Sequence, residues 1–457
     1  MKRNLGMRCC LFALAAILWL GLPPHALPQA TAAPSSTAQK AGQQSASQQF
    51  EVLLSERRYP ELAEKLPSAG LSPLHRDYFE GVLANRQNRL PDAIRLLEKA
   101  LPGLKSESPE RTAQALHLLA DSYVKSFHYA DAIPVYADLL TNYERYLEKS
   151  ERKSTEDDYK TVQLLKDAPP QTVELKEAVT IPTHRSKLGT IDMDLTLNGV
   201  TRSWIVDSGA NFSVVTESLA RKLALPISKE EATTQGITGA ENPLHTAIIP
   251  ELKIGIAVVR NAVVLVLRDS DLNIHFGRGR YQIDAILGYP VLSALGSLTF
   301  ANNAIRIGPS DAASDAGAVL YMELLTPLLQ CSIGGRELLF SFDTGADRSI
   351  FTVKYYKQFR DTALRGLPLK SYKLGGAGGV RQFNVYFQPL VEAHIGSRVS
   401  ALKEVPVLPE PMSTDLDKLN GNLGRDLVNG FQSFTIDFTH MRFLLGEPLT
   451  TTSASTH

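Results

Sequence analysis

Between Gln49 and about Lys149 the apolar positions recur at helical spacing. Ala93, Ile94, Leu97 and Leu101 fall on one stripe. No alternating β-branched stretch interrupts this region. An acidic and basic stretch from Glu148 to Asp158 and the breaker Ala168-Pro169-Pro170 mark its end, and the period then changes to two. In "TIDMDLTLNG", starting at Thr190, the residues Ile191, Met193, Leu195 and Leu197 share one face. Asn198-Gly199 follows as a tight hairpin signal. The remaining chain reads as mostly β with short helices. Residues 49–150 are thus predicted to be an α-helical domain, followed by an all-β part.

The N-terminus has a different pattern. Lys2, Arg3 and Arg8 precede an apolar run from Cys10 to Leu22, and small residues follow, as in Ala30-Thr31-Ala32. Residues 1–33 read as a secretory signal peptide, which predicts a secreted or periplasmic protein. The run is shorter than the roughly 20 residues a spanning helix needs, so no membrane span is expected after cleavage; an uncleaved N-terminal anchor is the alternative. Residues 34–48 are rich in Ala, Ser, Gln and Thr without an apolar face, and are predicted to be a disordered linker. Cleavage leaves Cys331 as the one cysteine, so no internal disulfide is expected.

Within the helical region two stretches align. "GVLANRQNRLPDAIRLLEKAL" from Gly81 matches "ADSYVKSFHYADAIPVYADLL" from Ala120. Gly81 meets Ala120, Ala93 meets Ala132, Leu97 meets Tyr136 and Ala100 meets Leu139, each 39 residues apart. Small residues at helix crossings with larger ones four positions on resemble the tetratricopeptide pattern, whose period is about 34. The extra residues are placed in Lys105–Glu110. The resemblance implies a solenoid that holds a protein partner; a short bundle packed on the next domain is the other reading.

The β part repeats itself on a larger scale. "IVDSGANFSVV" (Ile205–Val215) returns as "FSFDTGADRSIF" (Phe340–Phe351), which sets Asp343 136 residues after Asp207. The same offset relates Asn198-Gly199 to Gly334-Gly335, and Ile286-Leu287-Gly288 to Asn422-Leu423-Gly424. It also relates Ser297 to Ser433, Arg306 to Arg442 and Gly239 to Gly375. Between these anchors the register slips by five residues and recovers, through insertions near "GGAGGVRQF" and "DSDLNIHFGRGR". The expected units are 172–309 and 318–447. One Asp-Ser-Gly triplet is an ordinary turn signal. Two triplets in matching strand contexts are a constellation.

Two carboxylates held within hydrogen-bond reach cannot both ionise easily, so one proton is shared. The ionised member can take a proton from water while the protonated member polarises a carbonyl. The pattern resembles the retropepsin-like aspartic peptidases, with two units in one chain arranged like the lobes of pepsin. That resemblance implies an all-β bilobal acid-protease fold and Asp207 and Asp343 as the catalytic pair. It implies that Ser208 and Thr344 interlock the two loops, and that Gly209 and Gly345 admit backbone close to the carboxylates. Gly236 and Gly239 in the first unit, and Gly375 and Gly376 in the second, are implied to be flap residues over a peptide or protein substrate. No cofactor and no metal are implied. The pattern departs in two places: Asn422 stands where the family prefers an aliphatic residue, and Gly288-Tyr289-Pro290 stands opposite Gly424-Arg425-Asp426.

Other chemistries find little support. "LGGAGGV" lacks the Lys-Ser/Thr ending of a phosphate loop, and neither His-Glu-x-x-His nor Gly-x-Ser-x-Gly occurs. Forty-eight basic and 48 acidic residues give zero formal net charge, which points away from nucleic acid. The sequence therefore predicts an exported aspartic endopeptidase. The alternative is a non-catalytic protein that binds peptide in the same cleft and on the helical repeats.

Overall fold

The computed structural model describes residues 36–235, 241–276, 279–308, 317–376, 379–412 and 414–449. The segment read as a signal peptide lies outside them. A helical region is followed by a large β region. Helices α1 (Ser36–Ser55), α2 (Tyr59–Lys65), α3 (Pro73–Arg86) and α4 (Leu90–Glu107) come first. Helices α5 (Pro109–Lys125), α6 (Tyr129–Asn142) and α7 (Lys149–Leu164) follow.

Three helical hairpins turn in the same way. Arg57, Asn88 and Phe127 take φ of 59°, 57° and 64°, the left-handed region in which a helix ends. After each, a backbone N–H closes the preceding helix: Arg58 to Leu53, Arg89 to Ala84 and His128 to Tyr123, at 2.8 to 2.9 Å. Asn88 and Phe127 keep the 39-residue offset. Ser72 and Ser108 cap α3 and α5 by accepting from the His75 and Arg111 N–H groups. Gly81 belongs at its crossing, because a Cβ there would come within 3.0 Å of Leu97. The extra residues near Lys105–Glu110 lengthen a helix: α4 has 18 residues and α6 has 14.

Two boundaries need correction. The stretch 34–48 was expected to be disordered, but the chain is helical from Ser36. Its Ala, Gln and Lys content suits a helix, and Phe50 and Leu53 anchor the far end in the core, the Phe50 ring lying tilted against Phe79 with centroids 5.3 Å apart. The helical region also continues past residue 150. The charged run that reads as a boundary forms α7, where Arg152–Glu156 and Lys153–Asp157 pair one turn apart. Glu148 and Glu151 close a capping box at its start.

The two β repeats share their pairing register. Ile286 and Leu287 run parallel to Ile205 and Val206; Asn422 and Leu423 run parallel to Ser341 and Phe342. Ile286 also lies antiparallel to Val214, as Asn422 does to Ile350. All these positions are 136 apart. Farther on, Val215 pairs with Val266 and Phe351 with Val407, which is the five-residue slip in three dimensions.

A sheet seam joins the repeats. Val179–Pro182, Ala304–Gly308 and Ser297–Ala301 lead to Ser433–Asp437, Arg442–Leu445 and Ala318–Glu323, in that order across the sheet. Its central pair is Thr299 and Thr435, themselves 136 apart, with their Oγ1 atoms 2.9 Å apart. Phe300 stacks on Phe434 at 4.3 Å. Cys331 is free and buried. Among the described residues no helix is long and apolar enough to cross a membrane.

The helices dock on both repeats. Arg57 forks onto Glu323 through Nε and Nη2 at 2.8 and 2.7 Å, and Tyr59 packs 5.3 Å from Tyr321. Burial acts to raise the Glu323 carboxyl, but the Arg86 and Arg57 guanidiniums outweigh it and hold it well below the usual range. Lys418 pairs with Glu151 at 3.0 Å.

Candidate active site

Each candidate aspartate follows directly on a buried strand. Val200–Val206 delivers Asp207 and Arg336–Phe342 delivers Asp343. The parallel neighbour strands hold both backbones: the Asp207 N–H donates to Leu287 and the Asp343 N–H to Leu423, each at 3.0 Å. The loops then turn tightly. Gly209 N donates to Asp207 Oδ1 at 2.9 Å, and Gly345 N to Asp343 Oδ1 at 2.7 Å.

The two loops interlock through their hydroxyl residues. Ser208 N donates to Thr344 Oγ1 at 3.0 Å, and Thr344 N donates to Ser208 Oγ at 3.1 Å. Each hydroxyl also crosses to the other unit's strand, Ser208 Oγ to the Phe342 carbonyl and Thr344 Oγ1 to the Val206 carbonyl, at 3.0 and 2.7 Å. Both side chains are fully buried, so every one of these groups depends on its partner. Thr344→Val keeps the shape and removes the hydroxyl. It leaves the Ser208 N–H and the Val206 carbonyl unpaired, at about 1–3 kcal/mol each. A lowered urea midpoint is expected; an unchanged midpoint would contradict the interlock.

Glycine is required beside the carboxylates. A Cβ on Gly209 would lie 2.5 Å from Asp343 Cγ, and one on Gly345 would lie 2.5 Å from Asp207 Oδ2. Each unit's glycine thus makes room for the other unit's acid. The two carboxyls lie side by side, each against the other unit's glycine. Burial pushes the Asp207 carboxyl well above the usual carboxylate range, and the neighbouring Asp343 carboxyl pushes it further.

The structure brings Asp207, Ser208, Gly209, Asp343, Thr344 and Gly345 together. Of the four expected flap glycines, Gly236 and Gly239 lie outside the described residues. Gly375 and Gly376 end one arm of a hairpin, paired with Val380 and Gly379. A Cβ on Gly375 would meet only Val380, at 3.8 Å.

Both sequence departures have structural work. Asn422 Nδ2 approaches Asp343 Oδ2 at 3.4 Å, and Ser341 Oγ fixes it by donating to Asn422 Oδ1 at 2.6 Å. The counterparts of this polar pair are Ile205 and Ile286, which carry no donor. Sequence reasoning took Asn422 only as an irregularity. The signal was a polar residue facing a polar residue 81 positions earlier, where the first repeat has two isoleucines. Arg425 is buried and donates through Nη1 to the Thr344 and Gly345 carbonyls at 2.8 and 2.9 Å. Its counterpart Tyr289 instead turns its hydroxyl to Asn88 Oδ1 in the α3–α4 turn, at 3.3 Å. Gly-Arg-Asp supports the second loop, whereas Gly-Tyr-Pro docks the helices.

Residues 193–291 match the family model described as aspartyl protease; the match falls within the first repeat. No curated protein matches the chain significantly. Among solved structures, basic 7S globulin from soybean shares 13% identity with a TM-score of 0.38, over 58% of this chain and 95% of that one. Conglutin gamma from lupine seeds shares 9% identity with a TM-score of 0.39, over 58% and 94%. A retropepsin-like aspartic protease from Rickettsia conorii shares 19% identity with a TM-score of 0.21, over 30% and 94%. Together with the loop geometry, the family match marks an aspartic protease-like fold.

Proposed function

We propose that this chain is an exported aspartic peptidase with a tetratricopeptide-like helical module, and that its two repeats form a retropepsin-like pseudo-dimer with one active site. The observation that carries the reading is the reciprocal packing of the dyad loops, in which Gly209 makes room for Asp343 and Gly345 for Asp207. The seam centred on Thr299 and Thr435 supports the pseudo-dimer.

The chemistry follows from the shared proton. Asp207 holds it, being pushed up by burial and by Asp343. The Asn422 amide, aimed at Asp343, has no counterpart in the first repeat, so the two carboxyls sit in unlike surroundings. Water bridging the pair loses a proton to the charged oxygen and attacks the peptide carbonyl. The Asp207 proton moves to the carbonyl oxygen as the tetrahedral diol forms. Return of a proton to the leaving nitrogen breaks the C–N bond. No covalent intermediate arises.

A statine-type analogue of that diol is the direct test. It is expected to inhibit cleavage of an unstructured protein far more strongly than a peptide of the same sequence lacking the hydroxyl, because it matches the transition state. Equal weak binding by both, with no cleavage between about pH 3 and 8, the span over which such a dyad titrates, would favour a non-catalytic peptide binder.

A further inference from the structure

The ends of the groove above the dyad are built differently, and α7 makes the difference. Its first turn reaches the second repeat, where Glu151 pairs with Lys418 in the turn that leads into the Asn422 strand. Its middle reaches the flap arm of the first repeat, where Thr233 Oγ1 donates to Asp157 Oδ1 at 2.9 Å. Its last residue, Leu164, packs on the cluster of Ile205, Val214, Ala232 and Ile286, against which Ala210 and Phe212 also pack. Those two residues continue the Asp207 loop. One helix therefore touches the flap arm, the apolar cluster on which the Asp207 loop also packs, and the opposite repeat.

The same end is tied further. Thr326 of the second repeat donates to Asn211 Oδ1 of the Asp207 loop at 3.2 Å, and Tyr289 bonds the helical turn at Asn88. At the opposite end the counterparts of Asn211 and Phe212 are Asp347 and Arg348; these two are exposed, as Asn211 is, but Asp347 pairs with Arg425 of its own repeat, at 3.4 Å, and not across to the first repeat. The arm of the second flap leaves Leu369 about half exposed, at 53%. Among the described residues, no helix packs across that end.

Resting on the peptidase reading above, we propose that α7 closes one end of the groove. The substrate is then the free terminus of an unstructured chain, which enters from the open Asp347–Arg348 end until it meets α7. Cleavage falls a fixed, short number of residues inside that terminus.

The test compares a flexible linear peptide that the full chain cuts with its head-to-tail cyclic form, using pepsin to confirm that the ring can be cut. Products are read by mass spectrometry. The ring is expected to react at least about a hundredfold more slowly, the order lost when a substrate cannot seat correctly. Lengthening the linear peptide at the buried terminus is expected to move the cut by the number of residues added, and lengthening the other end to leave it in place. If ring and linear peptide are cut alike, or if the cut stays with its sequence in both extensions, the closed end is wrong and the peptidase reading stands. If the full chain cuts no linear peptide at all, the peptidase reading falls and the closed end falls with it.

Discussion

Asp207→Asn and Asp343→Asn are each expected to lower peptide cleavage by at least about a thousandfold, the range carried by a positioned general acid or base. The double variant is expected to be no worse than either single one, because the two carboxyls act as one unit and such losses do not add. The fold should persist in all three. Asparagine fills the same space, and its carbonyl oxygen can still accept from Gly209 N or Gly345 N. Measuring kcat/KM beside the thermal midpoint separates the two effects. Near-normal turnover in either single variant would remove that residue from the chemistry.

Glu323→Ala is expected to have the largest effect on stability. Glu323 answers Arg57 directly, receives the Tyr59 hydroxyl at 3.3 Å, and holds its charge because Arg86 lies near as well. Its removal strands two guanidiniums at the seam between the helices and the second repeat. Breaking a fully buried pair costs about 3–5 kcal/mol. Here the side chains keep 16% and 21% exposure, so a loss of about 2–4 kcal/mol is expected. The pH dependence has a definite sign. The folded carboxyl lies below its unfolded value of 4.5, so its stabilisation is complete above that pH and fades as pH falls through the folded value. Glu323→Gln should therefore lower the midpoint at pH 7 and converge on the parent in acid. A constant difference across pH would contradict the ion-pair account.

Much of this arrangement is legible in the sequence alone. The 136-residue echo worked because each repeat must rebuild the same strand, loop and parallel neighbour, so matched positions in sequence become matched positions in register. The helical hairpins are legible for a similar reason: Gly81 marks a crossing where a Cβ would press on Leu97, and Ala120 is the buried small residue at the matching position.

The misses have physical causes. Residues 36–48 carry no apolar stripe, and what holds α1 is Phe50 and Leu53 at its end. The α7 sequence is charged on most faces and reads as a boundary, because its stability comes from one-turn ion pairs and from partners far along the chain. Asp157 meets Thr233 and Glu151 meets Lys418. Tyr289 and Asn422 looked like erosion of a motif. Each had acquired a contact outside the motif, Tyr289 with a helical turn and Asn422 with the carboxyl across its sheet, and a local pattern does not encode either one.

The central claim is one proton shared by two halves of a single site. A 13C NMR titration of aspartate carboxyls in the full chain tests it most directly, with Asp207→Asn assigning the pair. The account predicts one carboxyl resonance that stays protonated well above the ordinary aspartate range and disappears in Asp207→Asn. If both carboxyls titrate independently near pH 4, the usual value for a solvated aspartate, the two loops are not a catalytic pair.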